Sequence, residues 1–586
     1  MTPLSEALAL AVQHHQAGRL QAAEQVYRHI LSVDSVNAEA WHLLGVVALQ
    51  CGQHDRAVEY ISRAIQLNGS DSVFHLNLGN CFMGQGKSDE AIACFRRALD
   101  WMPNSATAHY NLATAFSAQG KLDGAVAHFV QGLELKPDHA EAYNNLGAVL
   151  QSQRKLDEAI VLYRRALEIN PDNSEARANF LLSLPYHAGT TLAQLAAAHA
   201  DVDNRHAAPL RATWESHAND RNPERVIRLG FVSADFGHHP VGYFLIRVLE
   251  NLDRSRCELV CYADRIAKDD LTRRFEAACT TWREVQALSN QALAAQIRAD
   301  RIDILFDLAG HTATQRLLVF AHKPAPIQAT WAGYVGTTGL TAIDYILADR
   351  YEIPPEAERH YCERVLRMPD GYVTYDPPDY APPVSPLPAL VQPFFTFGSF
   401  NKPAKITPQI VKVWANILTR VPRSRLVLKY RGMEESSVGG PLRQEFANQG
   451  VDPSRVECLG WSSPPQLLSE YGRIDLALDT YPYNGGLTTC EALWMGVPVV
   501  TCPGETFASR HSLSHLSNVG LTETIARDLN EYVELAASLA TDLPRLAAIR
   551  TGLRDRMAAS PLCDGKRFAN HLMALLRDIW RRHCAK

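Results

Sequence analysis

The sequence predicts an α-solenoid followed by an α/β region of two doubly wound, Rossmann-like sheets, and three observations predict it. A 34-residue period runs through the first third of the 586-residue chain. Short β-branched and apolar runs alternate with helical patterns over the rest. A stretch with seven prolines, "DPPDYAPPVSPLPALVQP" at 376–393, divides that alternation in two. The expected order is therefore helical repeats over 1–185, a polar, alanine-rich linker over 186–225, one α/β domain over 226–375, the proline-rich linker, and a second α/β domain with a C-terminal helix over 394–586.

In the repeat region Leu44, Leu78, Leu112 and Leu146 recur in a first helix, followed by Gly45, Gly79 and Gly147, with Ala113 the exception. A second helix repeats Ala57, Ala91, Ala125 and Ala159, then the bulkier Ile61, Phe95, Phe129 and Tyr163, and Pro103, Pro137 and Pro171 close the later units. Period, small residues and terminal proline together are the tetratricopeptide (TPR) pattern. A less regular unit precedes these four and a degenerate one follows from Asn173, as the ends of a solenoid require. Asn77, Asn111, Asn145 and Asn179 also keep the period. Such a ladder of amides offers paired donors and acceptors to the backbone of an extended peptide, so proteins bound as extended peptides are the expected partners of this region. "GQGKSDE" at 84–90 contains Gly-Lys-Ser but lacks the first glycine of a phosphate loop, and falls in the turn between two repeat helices.

Beyond the repeats, "VIRLGFVSADF", "CELVCYAD" and "IDILFDLAGH" read as strands of one parallel sheet, and "FFTFGSF", "SRLVLKY", "RVECLG", "IDLALDT" and "VPVVT" as strands of a second. Ligands of such sheets sit at the carboxyl ends of the strands. At one such end "YPYNGG" turns into the helix start "LTTCEALWMG": Gly485 and Gly486 permit close backbone approach, Leu487 opens the helix, and Thr488 and Thr489 set hydroxyls beside its free N–H groups. This is a loop for an anion. Glu491, one turn in, has the position of a ribose contact, though a first-turn glutamate also suits the helix dipole. The positive charge comes from another turn, "FGSFNKPAKITP", where Asn401, Lys402 and Lys405 precede a helix capped by Thr407. In the first sheet "SADFGHHPVG" places His239, and "FDLAGHTA" places Asp307 and His311, in strand-end turns. "PAPIQATWAGYVGTTG" adds a glycine-rich, aromatic wall. The final "GKRFANHLMALLRDIWRRH" is an amphipathic helix suited to packing back across the first sheet.

Composition narrows the function. With 58 Lys+Arg against 63 Asp+Glu and a net charge of -5 there is no basic excess for wrapping nucleic acid. The 12 cysteines form no C-x-x-C pair, the start "MTPLSEALALAVQHHQ" has no signal-peptide pattern, and no run reaches about 18 apolar residues, so a cytoplasmic protein without membrane association is expected.

In these motifs the chain resembles the protein O-glycosyltransferases that include O-GlcNAc transferase and the plant SPINDLY proteins. "GFVSADFGHHPV", "PAPIQATWAGYVGTTG", "FGSFNKPAKITP" and "CEALWMGVPVVTCPGETFASR" occur after TPR repeats in the same order. The resemblance implies a GT-B fold and an inverting transfer, without metal or other cofactor, of a sugar from a nucleotide sugar to Ser or Thr of acceptor proteins. It makes His239 an active-site base, His311 with Asp307 a second polar group near the sugar, and Lys405 the lysine on the donor phosphates. Gly485 to Thr489 become the phosphate loop, Glu491 the ribose contact, and the asparagines the peptide-binding amides. The loop at Gly486, Leu487 and Thr488 and the segment "SSPPQLLSEY" depart from the animal enzymes and read closer to SPINDLY sequences, which are similar to enzymes using GDP-fucose. UDP-GlcNAc is the expected donor, with GDP-fucose as the alternative and a non-catalytic TPR scaffold as the rival from another class.

Overall fold

The computed structural model describes residues 4–312 and 315–585, which fall into two compact units, Met1–Ala176 and Arg177–Lys586. The first is a stack of antiparallel helix pairs. Its packing explains the period: Ala57, Ala91, Ala125 and Ala159 are fully buried where helices cross, and a Cβ on Gly45, Gly79 or Gly147 would lie 2.4, 2.4 and 2.7 Å from Ile61, Phe95 and Tyr163. The residues that cap each first helix, Asn37, Asp71, Ser105 and His139, are themselves 34 apart. Gly52, Gly86 and Gly120 make the turn within each pair at φ of 71°, 73° and 75°, and Arg154 adopts it at 67° without being glycine. Gly86-Lys87-Ser88 is thus a turn, with Ser88 opening the helix Ser88–Trp101. Neighbouring repeats are tied by Gln85, Gln119 and Gln153, whose amides donate to Asp55, Asp89 and Asp123 at 2.7–2.8 Å.

The second unit holds two wholly parallel sheets. β1 (Ile227–Ser233), β2 (Cys257–Ala263), β3 (Thr281–Glu284), β4 (Ile304–Asp307), β5 (Ile327–Thr330), β6 (Tyr345–Ala348) and β7 (Arg364–Arg367) order as 3-2-1-4-5-6-7. β8 (Phe395–Ser399), β9 (Ser424–Lys429), β10 (Val456–Leu459), β11 (Leu476–Leu478) and β12 (Val499–Val500) order as 10-9-8-11-12. Strand order reverses between β1 and β4 in one sheet and between β8 and β11 in the other. The loops after those four strands therefore border the crevices where ligands of such sheets bind. They carry His239, His311, Lys405 and Gly485.

The amphipathic C-terminal helix Gly565–Cys584 lies on the first sheet, burying Phe568, Leu572, Leu576 and Trp580 with the side chains of β1 and β4. The span 186–225, read from sequence as a polar linker, is largely folded instead. Its helix Leu192–Val202 buries Leu195 and Val202 with Ala207 against Leu293, Leu305 and Leu340, because the alanine-rich stretch carries apolar residues at helical spacing. Among the described residues no helix is long and apolar enough to cross a membrane.

Candidate active site

Asp479, at the end of β11, builds the anion loop. Its carboxylate accepts from the backbone N–H of Thr480 and of Gly485 at 2.9 and 2.7 Å and from the Thr501 hydroxyl at 2.6 Å. The chain between Thr480 and Gly485 is thereby closed into a turn, and Asn484 braces it by donating to the Thr480 carbonyl at 2.8 Å. Burial raises the Asp479 carboxyl above its ordinary value, opposed by the hydrogen bonds it accepts and by nearby Lys405.

The two glycines serve different ends. A Cβ on Gly485 would lie 2.6 and 2.7 Å from the hydroxyls of Thr489 and Thr488, so only glycine fits beneath the helix start. On Gly486 the same atom would meet nothing closer than His511 Cδ2 at 4.0 Å, and the backbone there has φ -97°. Gly486 leaves an open face rather than relieving a clash. Leu487 begins the helix Leu487–Trp494, whose first-turn N–H groups border that face. Thr489 is internal, bonded to the Gly485 carbonyl at 3.1 Å and to Ser512 at 2.8 Å. Thr488 donates to Asn401 at 3.2 Å, joining this loop to the one after β8.

Lys405 crosses the same gap. Its Nζ donates to the Asn484 carbonyl at 2.7 Å and lies 4.0 Å from the centre of the Tyr483 ring, and Tyr186 stacks on the other partner of that pair, Tyr483, with centroids 4.8 Å apart. Desolvation lowers Lys405 to about 7, with Lys402 adding to the fall and Asp479 resisting it. Lys402 itself is exposed. Glu491 is raised to about 7 by burial, while the Tyr471 hydroxyl beside it at 3.4 Å favours its charged form.

In the first sheet His239 caps the helix Pro240–Asn251 and remains half exposed. Its Nδ1 stands 3.4 Å from the Val241 N–H and 3.5 Å from Asp235 Oδ1. Burial lowers the imidazole and raises Asp235, while their mutual attraction opposes both shifts.

Asp307 and His311 are both buried. Asp307 is buried and occupied by the N–H groups of Ala309 and Gly310 and by the Thr330 hydroxyl at 2.8 Å, so it holds the turn after β4. His311 is 1 % exposed, donates from Nε2 to the Thr338 carbonyl at 2.6 Å, and is pushed down to about 3 by burial. Its ring packs against His199 and Tyr334. In the glycine-rich wall beside them, Trp331 donates to the Tyr372 carbonyl at 2.7 Å. Sequence reasoning missed Asp479, although a strand-end aspartate before the turn was visible, and missed Glu352 and His511, which meet across 159 residues with no local signal.

The asparagine ladder lies on successive first helices, and each member is half-buried. Asn77 bonds His42 of the preceding repeat at 2.8 Å, and Asn111 donates to Asn80 at 2.9 Å. Asn145 accepts from Asn144 at 3.3 Å, and Asn179 lies on the helix Ser174–Ser183.

Two parallel sheets with their site loops at the two strand-order reversals define the GT-B class. Residues 183–381 and 389–572 match the glycosyl transferase family 41, and 8–72, 70–138 and 140–173 match tetratricopeptide repeat families. The chain belongs to glycosyl transferase family 41. It is 41% identical over 380 residues to a probable UDP-N-acetylglucosamine–peptide N-acetylglucosaminyltransferase SPINDLY of Petunia hybrida, covering 63% of this chain and 40% of that protein. It is 34% identical over 373 residues to the corresponding SEC protein of Arabidopsis thaliana, covering 61% and 38%. A solved structure of a Thermobaculum terrenum O-GlcNAc transferase mutant superposes with TM-score 0.80 at 34% identity, covering 88% of this chain and 98% of that one. The chain spans about two-fifths of the length of the curated relatives it matches, as the 40% coverage of the Petunia protein illustrates.

Proposed function

We propose that this chain is a protein O-glycosyltransferase that moves GlcNAc from UDP-GlcNAc to Ser or Thr hydroxyls with inversion, using no metal or other cofactor. The observation that carries the reading is the Lys405 clamp. A lysine bonded to the rim of a glycine loop that opens a helix supplies charge where a nucleoside diphosphate leaving group develops it. The curated relatives named as UDP-GlcNAc peptide transferases support the donor and the acceptor class.

In this mechanism the acceptor hydroxyl attacks the anomeric carbon from the side facing the first sheet, and His239 takes its proton. Asp235, 3.5 Å from Nδ1, favours the charged ring that results. The departing diphosphate is held by Lys405, Thr488 and the first-turn N–H groups after Gly486, while Asn401 fixes Thr488 and Glu491 receives the ribose hydroxyls. Asn77, Asn111, Asn145 and Asn179 contact the acceptor backbone in the repeats.

The test is mass spectrometry of acceptor proteins after incubation with UDP-GlcNAc or GDP-fucose in the presence of a chelator. A HexNAc mass on Ser or Thr supports the reading. A deoxyhexose mass from GDP-fucose replaces the donor, and no modification with either favours the scaffold.

A further inference from the structure

Behind the anion loop lies a buried polar pair that the mechanism above leaves unused. Glu352, four residues past the end of β6, and His511, at the start of the helix His511–Val519, meet with Glu352 Oε1 2.9 Å from His511 Nδ1. The Tyr372 hydroxyl stands 3.1 Å from the same nitrogen. Three ties hold the pair in place. Asp349 accepts from the backbone N–H of Glu352 at 2.8 Å and from Ser514, on the histidine's own helix, at 2.5 Å, and Arg510 donates to the Tyr351 carbonyl. The imidazole lies edge-on to Tyr483 and to Phe507, with centroids 6.0 and 5.6 Å away.

The chemistry of the pair fixes where the imidazole proton sits. Glu352 Oε2 is buried without a hydrogen-bond partner, so an ionised carboxylate beside a neutral imidazole would have only the nearby charge of Arg510 to offset its burial. Two forms remain. Either the neutral carboxyl donates to Nδ1, or its proton has passed to the ring. In both, Nε2 carries a hydrogen. Burial raises Glu352 and lowers His511, with Lys405 and His515 adding to the fall of His511, which favours the neutral form. Cδ2, the ring atom bonded to Nε2, is the protein atom nearest to Gly486, 4.0 Å from where its Cβ would stand.

We infer that His511 is a further donor-site residue, presenting an Nε2–H to the diphosphate at the open face of Gly486, with Glu352 as the positioning residue that fixes its tautomer. Lys405 and His511 thus approach the same loop, one as a cation and one as a neutral donor. This rests on the donor-site reading above.

The experiment is calorimetric titration of the full chain with UDP and GDP, and with uridine and guanosine as phosphate-free probes. His511→Phe keeps the ring packing and removes the donor, so affinity for the diphosphate that binds falls about tenfold or more while nucleoside affinity holds. His511→Gln, whose amide N–H reaches the Nε2 position, and Glu352→Gln, whose amide donates to Nδ1, stay within about threefold of the parent. If His511→Phe does not fold, His511→Leu takes its place. Unchanged diphosphate affinity in the folded variant, or an equal loss for nucleoside and diphosphate, overturns the inference. Lys405→Ala separates the two failures. If it weakens diphosphate binding and His511→Phe does not, only the histidine assignment is wrong, whereas indifference to both overturns the donor site itself.

Discussion

Lys405 Nζ donates to the main-chain oxygen of Asn484 at 2.7 Å, joining the loop after β8 to the loop after β11. The ammonium is thus fixed on the rim of the anion loop before any ligand arrives. Preorganised charge of this kind costs no reorganisation when a leaving group develops its own.

Because burial lowers Lys405 to about 7, the ammonium that stands on the rim at lower pH is largely deprotonated in the free protein at pH 8. A bound diphosphate raises that value, so the complex holds more protons than the free protein above pH 7. Nucleoside diphosphate binding is therefore accompanied by proton uptake, and affinity falls as pH rises from 7 to 9. Calorimetry at pH 8 in buffers of different ionisation enthalpy measures the uptake. A buffer-independent enthalpy removes Lys405 from the phosphates.

The two glycines separate folding from binding. Gly485→Ala forces a Cβ to 2.6 Å from Thr489 Oγ1 and destabilises by about 1–3 kcal/mol through displaced packing. Gly486→Ala meets nothing closer than an ordinary contact of 4.0 Å with His511 Cδ2, so its melting temperature stays at the parent value while nucleoside diphosphate affinity drops. Thermal melts paired with titration check both. Undiminished affinity in Gly486→Ala would mean the ligand does not approach that face.

Asp479→Ala leaves the Gly485 N–H and the Thr501 hydroxyl without their acceptor, at a cost of about 2 kcal/mol or more. The melting midpoint falls and the loop loses its turn. Asp479→Asn retains one acceptor oxygen and falls between the two. Equal midpoints for all three proteins would deny Asp479 its structural role.

His239 lies below its ordinary value of 6.5, so it is neutral and able to accept a proton at pH 7. Turnover falls on the acid side as pH drops through the lowered value, below 6.5. Asp235 favours the charged ring, so Asp235→Asn moves that limb to still lower pH. His239→Ala lowers kcat about a hundredfold or more with little change in donor KM. A pH–rate profile of the three proteins is decisive, and an acid limb that survives in His239→Ala places the base elsewhere.

The repeats are legible in sequence because every requirement recurs. The cap at Asn37, the turn glycine at Gly52 and the buried Ala57 each return 34 residues on, so one unit explains the next. The two sheets are legible because β1 and β8 are apolar runs ending in polar, glycine-bearing turns. The donor loop follows from its glycines and from Lys405 for the same local reason. What sequence does not carry is long-range commitment. A histidine in a strand-end turn reads alike whether it faces a crevice, as the half-exposed His239 does, or closes on a carbonyl, as His311 does on Thr338. The folded segment around His199 escapes notice because its burial depends on Tyr334, 135 residues away.

In the proposed function Lys405 stabilises a nucleoside diphosphate leaving group during transfer to protein. The most direct measurement is the rate of UDP release from UDP-GlcNAc, with and without acceptor protein, for the parent and for Lys405→Ala. Acceptor-dependent release by the parent is expected, with loss of about a hundredfold or more in the variant at an unchanged melting temperature. Release by Lys405→Ala at the parent rate would contradict it.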